Sequence, residues 1–250
     1  MMIPKSHPRY ESLRQRELLV EGYKAGATAL EGLIAFGRGE AFDYLLGEKT
    51  PDAAVEAVRA AAAMLLAAEN PVVSVNGNTA VLCPEELVKL ARAVEGKLEI
   101  NLFYRTEKRV KAIEGILKGH GAEKVYGVKA DAEIEGLDSR RRLVDREGIY
   151  SADVVFVALE DGDRTEALIK AGKKVIAVDL NPLSRTAQTA SITIVDNVIR
   201  AVPLLLAAAE ELRAMDREAL NRIHRSFDNP SNLRKSLSEI IHGLRSMASH

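Results

Sequence analysis

The hydrophobic pattern changes character at Pro71. Residues 9–70 read as helical. Within them, Thr50-Pro51-Asp52 reads as an N-cap, a first-turn proline and a first-turn acid, predicting a helix to about Ala68. Gly37-Arg38-Gly39-Glu40 reads as a tight basic loop between two short helical segments. Beyond Pro71, short β-branched runs predict strands at 72–75, 98–103, 153–159, 174–178 and 191–195. Helical stretches at 84–94, 106–118 and 164–171 separate most of them. This alternation predicts βαβ units and a parallel sheet. The fourth and fifth strands are joined by a short polar stretch, too short for a full crossover helix. Residues 128–149, with Arg140-Arg141-Arg142, read as a polar loop or excursion. Residues 199–248 read as two closing helices, the second starting near Asn229-Pro230-Ser231. Its stripe of Leu233, Leu237, Ile240, Ile241 and Leu244 should pack on the domain or on a second subunit.

The length of 250 residues suits a single domain. Its expected parts are a helical segment (1–70), a nucleotide-binding core (71–200) and C-terminal helices (201–250). Hydrophobic residues make up 47%, enough for a sizeable core, and the net charge of −1 offers no general attraction to nucleic acid or membrane. Cys83 is the one cysteine, so no intrachain disulfide forms, and a buried structural thiol is its expected role. The first residues carry no apolar signal core, and the Ala- and Leu-rich runs are short or broken by charge. A soluble, cytoplasmic protein is expected.

Chemistry in such a sheet gathers beyond the carboxyl ends of the strands, and every predicted strand here ends in polar or glycine residues. Asn76-Gly77-Asn78 ends the first. Gly77 allows close backbone approach, and the flanking amides can donate to phosphate oxygens, although an ordinary turn accounts for three residues equally well. Asp179 follows the fourth strand, where a carboxylate can bond ribose hydroxyls; Asn181 and Arg185 share its loop. Asp196-Asn197 repeats the pattern after the fifth. Asp161 and Asp163 follow the third, where either can cap a helix or hold Mg²⁺ through waters. Arg9, Arg16, Arg38, Arg105 and Arg185 are the arginines near these positions, and a multiply charged substrate requires them to converge. His7 lies in a polar segment able to cover a cleft. The sequence has no GxxxxGK[ST], no GxGxxG after a strand and no HExxH, which counts against P-loop, dinucleotide and zinc chemistry.

Several strings together resemble the archaeal phosphopantothenate synthetases, the 4-phosphopantoate–β-alanine ligases. They are Ile3-Pro4-Lys5-Ser6-His7-Pro8-Arg9-Tyr10, the Gly37–Leu45 string, Asn70–Asn78, Glu99–Thr106, Leu159–Leu168 and Asp179–Arg185. The likeness runs from about residue 3 to 203 and is loose around 120–148. It implies a Rossmann-like, mostly parallel α/β fold with an N-terminal helical segment and C-terminal helices, assembled as a homodimer. It implies that ATP, 4-phosphopantoate and β-alanine yield 4′-phosphopantothenate, AMP and pyrophosphate, in coenzyme A biosynthesis; Mg²⁺ is the cofactor expected beside ATP. The nucleotide contacts it implies are Arg16, Arg38, Asp179, Leu180, Asn181, Arg185, Thr186, Asp196 and Asn197. The expected acid-substrate residues are His7, Arg9, Asn76, Gly77, Asn78 and Arg105. Arg38, Asn76 and Arg105 are the catalytic candidates, and Asp161 and Asp163 the metal candidates.

Acyl-adenylate chemistry agrees with the residues, because it asks for alignment, charge neutralisation and exclusion of water rather than a protein nucleophile. Rival readings are a nicotinamide-dependent oxidoreductase, a nucleotide sensor without catalysis, and a ligase working through an acyl-phosphate and releasing ADP.

Overall fold

A computed structural model describes residues 4–248. Ile3, which opens the first of the strings above, lies outside them. Three helices come first: α1 (Tyr10–Lys24), α2 (Leu30–Leu46) and α3 (Asp52–Ala67). Then β1 (Pro71–Val75) leads into α4 (Gly77–Leu82) and α5 (Pro84–Ala93), and β2 (Lys97–Ile100) leads into α6 (Glu107–Gly119). A small hairpin of β3 (Ala132–Glu133) and β4 (Leu143–Val144) precedes β5 (Val154–Ala158) and α7 (Gly162–Lys170). The core ends with β6 (Lys174–Val178), α8 (Arg185–Thr189) and β7 (Ile192–Ile194). The chain closes with α9 (Val198–Leu212), α10 (Arg217–Arg225) and α11 (Asn229–Ala248).

Five strands form one sheet in the order β2-β1-β5-β6-β7, with every neighbouring pair parallel. The protein therefore has the α/β, Rossmann-like architecture expected. Successive side chains point to opposite faces. Val73, Val75, Phe156, Ala158, Ile176 and Val178 enter a core shared with α3, α5, α6 and α9. Val72, Val155, Val157, Val175 and Ala177 face the other side. The alanines of α3 let it lie close against α9, α10 and β7, with most of its circumference buried. Cys83 is buried between α4 and α5, and burial pushes its thiol up. None of the described helices is long and apolar enough to cross a membrane.

Several expectations need correction. The Gly37–Glu40 segment is not a loop, because α2 runs unbroken through it. The closing region holds three helices rather than two; α10 escaped notice because it is short and mostly charged, with only Leu220 buried. Thr50 does not cap α3: Pro51 occupies that position, and the Thr50 hydroxyl donates to Asp196 Oδ2 at 2.7 Å. The stripe on α11 divides, with Leu233 and Ile240 buried while Ile241 and Leu244 stay exposed. The short connection between β6 and β7 is, as expected, no full crossover, since α8 has only five residues.

The 128–149 segment covers the second face of the sheet. Ala132, Ile134, Leu137, Val144 and Ile149 pack there with α7. These apolar residues stand singly among charges, so no periodicity announced them. Polar ties fix the segment to the strand ends. Glu99, on β2, accepts from Asp145 N (3.0 Å) and Ile149 N (2.6 Å). Asn101 Nδ2 donates to the carbonyls of Arg141 (3.0 Å) and Leu143 (3.1 Å).

Glu99 is itself a sensitive point. Burial pushes its carboxyl up to about 7, against the pull of the two backbone N–H groups. The folded chain therefore keeps a proton that an unfolded chain releases near pH ~4.3. The stability due to this proton is complete below that value and is lost as pH rises through 7, roughly 3 kcal/mol in all. The unfolding midpoint should fall between about pH 5 and about pH 9, and Glu99→Gln should flatten that fall. An equal slope in the variant would remove Glu99 from the explanation.

Candidate active site

The chain leaves β1 toward β2 on one side, then returns past β1 to build β5, β6 and β7 on the other. The tips of β1 and β5 are thus the switch point, where the diverging connections leave a crevice. A cavity of about 340 Å³ opens there. It is lined by Asn76, Gly77 and Asn78 after β1, and by Leu159, Glu160 and Asp161 after β5. Leu102, Phe103 and Tyr104 come from beyond β2, Arg38 and neighbouring small residues from α2, and Arg109 and Arg141 complete the wall.

Asn76 builds the β1 tip. Its Oδ1 accepts from Asn78 N (3.0 Å) and Thr79 N (3.1 Å), while Thr79 Oγ1 accepts from Asn76 N (3.0 Å). This reciprocal cap starts α4. Asn76 Nδ2 donates to Ala158 O at 2.7 Å and staples the two tips together. Asn78 Nδ2 donates to Gly32 O at 2.8 Å. The two side-chain amides expected to meet phosphate are therefore engaged within the protein. A side chain at Gly77 would collide with Ala27 O and lie 2.8 Å from Arg109 Nη2. Leu159, at the β5 tip, holds a left-handed φ of 52°, which is strained for a branched residue.

One helix roofs the tips. Gly32 of α2 meets Asn78 beyond β1, Gly39 faces Leu180 beyond β6, and Asp43 accepts from Asn197 Nδ2 (2.9 Å) beyond β7. These positions share one face of a helix. A Cβ at Gly32 would lie 2.7 Å from Asn78 Oδ1, and one at Gly39 3.4 Å from Leu180 Cδ1. Of the two glycines that looked like a loop, Gly39 thus lies on the contact face of a continuous helix, and Gly37 faces open space. Arg38 projects at the rim, exposed, with no hydrogen bond or ion pair to the described residues.

The nucleotide candidates form a shelf beside the cavity. Asp179 accepts from Asn181 N (2.9 Å) and from the Ser184 hydroxyl, and burial pushes its carboxyl up. Asn181 Oδ1 accepts from Leu183 N at 2.9 Å. Arg185 lies across Gly162 and pairs with Asp163 and Glu166. Thr186 Oγ1 donates to Glu160 O (3.1 Å), joining shelf to cavity. Asp196 and Asn197 are buried under the far end of α2, where Arg200 bridges Asp196 and Asp43. Arg16 pairs with Glu40 at 2.7 Å. His7, Arg9 and Arg105 do not line the cavity. His7 Nδ1 accepts from Arg9 N (3.0 Å), Arg9 donates to Tyr44 Oη (2.8 Å), and Arg105 donates to Val128 O (3.1 Å).

Two cavity arginines went unrecognised in the sequence. Arg109, in the first turn of α6, donates from Nε and Nη2 to Ala27 O and from Nη1 to Tyr104 O. Arg141 comes from the segment read as an excursion. Its Nη1 donates to Glu160 Oε2 (3.0 Å), and its Nε lies 2.9 Å from Asp161 Oδ2. Glu160 also pairs with the fully buried Arg164, which donates to Ser74 Oγ at 3.1 Å. Burial works against the Glu160 charge, but Arg141 and Arg164 outweigh it and hold the carboxyl below its usual range.

Comparison with known proteins decides the family. Residues 53–243 match the family described as phosphopantothenate/pantothenate synthetase. The chain belongs to that family. A 4-phosphopantoate–β-alanine ligase of Thermococcus onnurineus is 56% identical over 247 residues, covering 98% of this chain and 95% of the relative. Proteins of the same name from Thermococcus kodakarensis and Methanosarcina mazei are 53% and 51% identical. They cover 97% and 98% of this chain, and 92% and 97% of their own lengths. The similarity therefore continues beyond residue 203, where the resemblance in sequence strings stopped.

In this member of the phosphopantothenate/pantothenate synthetase family, the metal candidates separate. Asp161 lines the cavity and caps α7, whereas Asp163 faces Arg185 outside it. Burial and the neighbouring Glu160 push the Asp161 carboxyl up. The cavity lining carries the carboxylates of Glu31, Glu160 and Asp161; Glu160 is taken by Arg141 and Arg164, and Asp161 fits Mg²⁺, which is commonly held by one or two carboxylates plus phosphate oxygens. Among the described residues no three His, Cys, Asp or Glu side chains gather as a metal cage. Gly77→Ala should cost about 1–3 kcal/mol in denaturant unfolding and reduce turnover, because Ala27 and Arg109 must retreat. A variant as stable and active as the wild type would contradict the close packing at the β1 tip.

Proposed function

We propose that this protein joins 4-phosphopantoate to β-alanine at the switch-point cavity, using ATP bound on the adjoining shelf. The observation that carries the reading is the junction of the two sites under α2. Arg38, which pairs with none of the described residues, stands at the cavity rim, and Leu180 of the shelf meets the same helix at Gly39. The same ligation is named for relatives that are 51–56% identical.

The reaction proceeds in two transfers. The carboxylate of the acid attacks the α-phosphorus of ATP, a P–O bond forms, and pyrophosphate leaves with the electrons of the broken bond. The uncharged amine of β-alanine then adds to the acyl carbon; AMP departs and the amine proton is lost. Asp179 bonds the ribose hydroxyls, and Arg38 and Arg185 face the phosphates. The β1 tip and the phenyl and phenol rings of Phe103 and Tyr104 shape the space for the acid and keep water from the adenylate. Asp161 would hold Mg²⁺, which neutralises phosphate charge when bound. The protein supplies alignment and charge.

The proposal includes a cytoplasmic homodimer, for which exposed Leu45, Ile241 and Leu244 on α2 and α11 offer an apolar surface. Light scattering should give twice the chain mass of 27.3 kDa; a single chain mass would exclude the dimer. Incubation with ATP, 4-phosphopantoate and β-alanine should release AMP and pyrophosphate. In the same assay, Arg38→Ala should lower kcat/KM for ATP on the order of 10²-fold. Release of ADP and phosphate would replace the adenylate with an acyl-phosphate, and unchanged kinetics of the variant would clear Arg38 of the role.

A further inference from the structure

We infer that Arg141 recognises the phosphate of the acid substrate, and that Glu160 and Arg164 serve to position it. The inference rests on the ligase reading and adds the determinant that separates a phosphorylated acid from its unphosphorylated counterpart. The family description spans both phosphopantothenate and pantothenate synthesis, so the fold itself does not decide which acid enters.

Three arginines line the cavity, and their donors are distributed differently. Arg109 spends Nε, Nη1 and Nη2 on the carbonyls of Ala27 and Tyr104 and acts as a clamp on two loops. Arg38 stands at the outer rim beside the shelf. Arg141 is buried to 7% exposure; its Nη1 donates to Glu160 (3.0 Å) and to Asn101 O (3.4 Å), while its buried Nε, 2.9 Å from Asp161 Oδ2, makes no hydrogen bond to any described residue. Its Nη2 makes no hydrogen bond to any described residue. Arg141 is therefore a rigidly oriented guanidinium with a donor edge left for a ligand.

The chemistry of the substrate sets the requirement. The acid presents its carboxylate to the α-phosphate, so its phosphorylated end needs a cation of its own inside the cavity. Of the three arginines there, Arg141 alone is buried with a free donor. A dianionic phosphate suits a planar guanidinium held in a fixed plane.

The supporting residues have no comparable use elsewhere. Arg164 and Glu160 are buried at the tips of β1 and β5, with Arg164 anchored to Ser74. A buried ion pair is weak evidence for stability, since apolar packing of the same volume often does as well. Here the pair ends on Arg141. Glu160 fixes one edge of its guanidinium; with Asp161 beside it the two carboxylates face the two arginines, so what Arg141 keeps for a ligand is the free Nη2 donor.

The test compares 4-phosphopantoate with pantoate, which lacks the phosphate, by pyrophosphate release in wild type and in Arg141→Gln. The preference for the phosphorylated acid, as a ratio of kcat/KM values, should fall about 10–100-fold. The KM for ATP should shift less than about threefold, as expected when only the other substrate loses a bond. If Arg141→Gln does not fold, Arg141→Lys keeps the charge and loses the fork, and it should show the same selective fall on a smaller scale. An undiminished preference in a folded variant overturns the inference and leaves the ligase reading intact. Equal losses for ATP and the acid assign Arg141 to general architecture and also overturn it. Release of neither pyrophosphate nor ADP by the wild type removes the ligase reading, and this inference with it.

Discussion

The site depends on how closely the backbone of α2 approaches the carboxyl edge of the sheet. A parallel sheet leaves a crevice at its switch point, but a crevice open to water would not protect an activated acyl group. In this chain α2 supplies the roof. It touches the ends of β1, β6 and β7 through Gly32, Gly39 and Asp43. A side chain at Gly32 would press on Asn78 and lift that end of the helix from the β1 tip. Glycine inside a helix costs about 1 kcal/mol relative to alanine, so tertiary contacts must offset it. The Asn78–Gly32 hydrogen bond, the contact with Leu180 and the Asp43–Arg200 pair do so.

Beneath this roof, the polar groups divide between those that hold the frame and those that remain free. Asn76 and Asn78 belong to the frame, since one joins β1 to β5 and the other joins β1 to α2. Arg109 belongs there too. The cost of leaving such buried donors unsatisfied, about 1–3 kcal/mol each, makes their internal bonds hard to exchange for a ligand. The guanidiniums of Arg38 and Arg141 are what the frame offers outward. The 128–149 segment is part of that frame, because Glu99 and Asn101 fix it and thereby fix Arg141.

The sheet was legible in the sequence because a buried parallel strand is a short, nearly continuous β-branched run. Val72–Val75 and Lys174–Val178 are of this kind, and the tip residues follow them directly. Other features had no local signal. Gly37 and Gly39 break the helical pattern when only propensity is considered; Gly39 faces Leu180, while Gly37 faces open space. Arg105 looked like a phosphate ligand because it ends a strand. One turn further on, Arg109 lines the cavity instead, since β2 stops at Ile100 and the following residues curve before α6. Arg141 sat in a triple-arginine run that gives no sign of which member is buried; only the packing of Val144 and Ile149 turns it inward.

Pairing does not disqualify the remaining candidates. Arg185 with Asp163 and Glu166, and Arg16 with Glu40, make ion pairs whose arginines are well exposed. Exposed pairs contribute about 0–1 kcal/mol. A nucleotide phosphate, with more charge and a geometry suited to the guanidinium fork, competes for such partners at small cost. The buried Asp196–Arg200–Asp43 set is different, because removing one member leaves an uncompensated charge under α2. Arg16 and Arg185 are therefore able to exchange partners for a phosphate, as the proposed ATP binding requires, while Asp196 and Asn197 stay in fixed positions, keeping the far end of α2 down on β7.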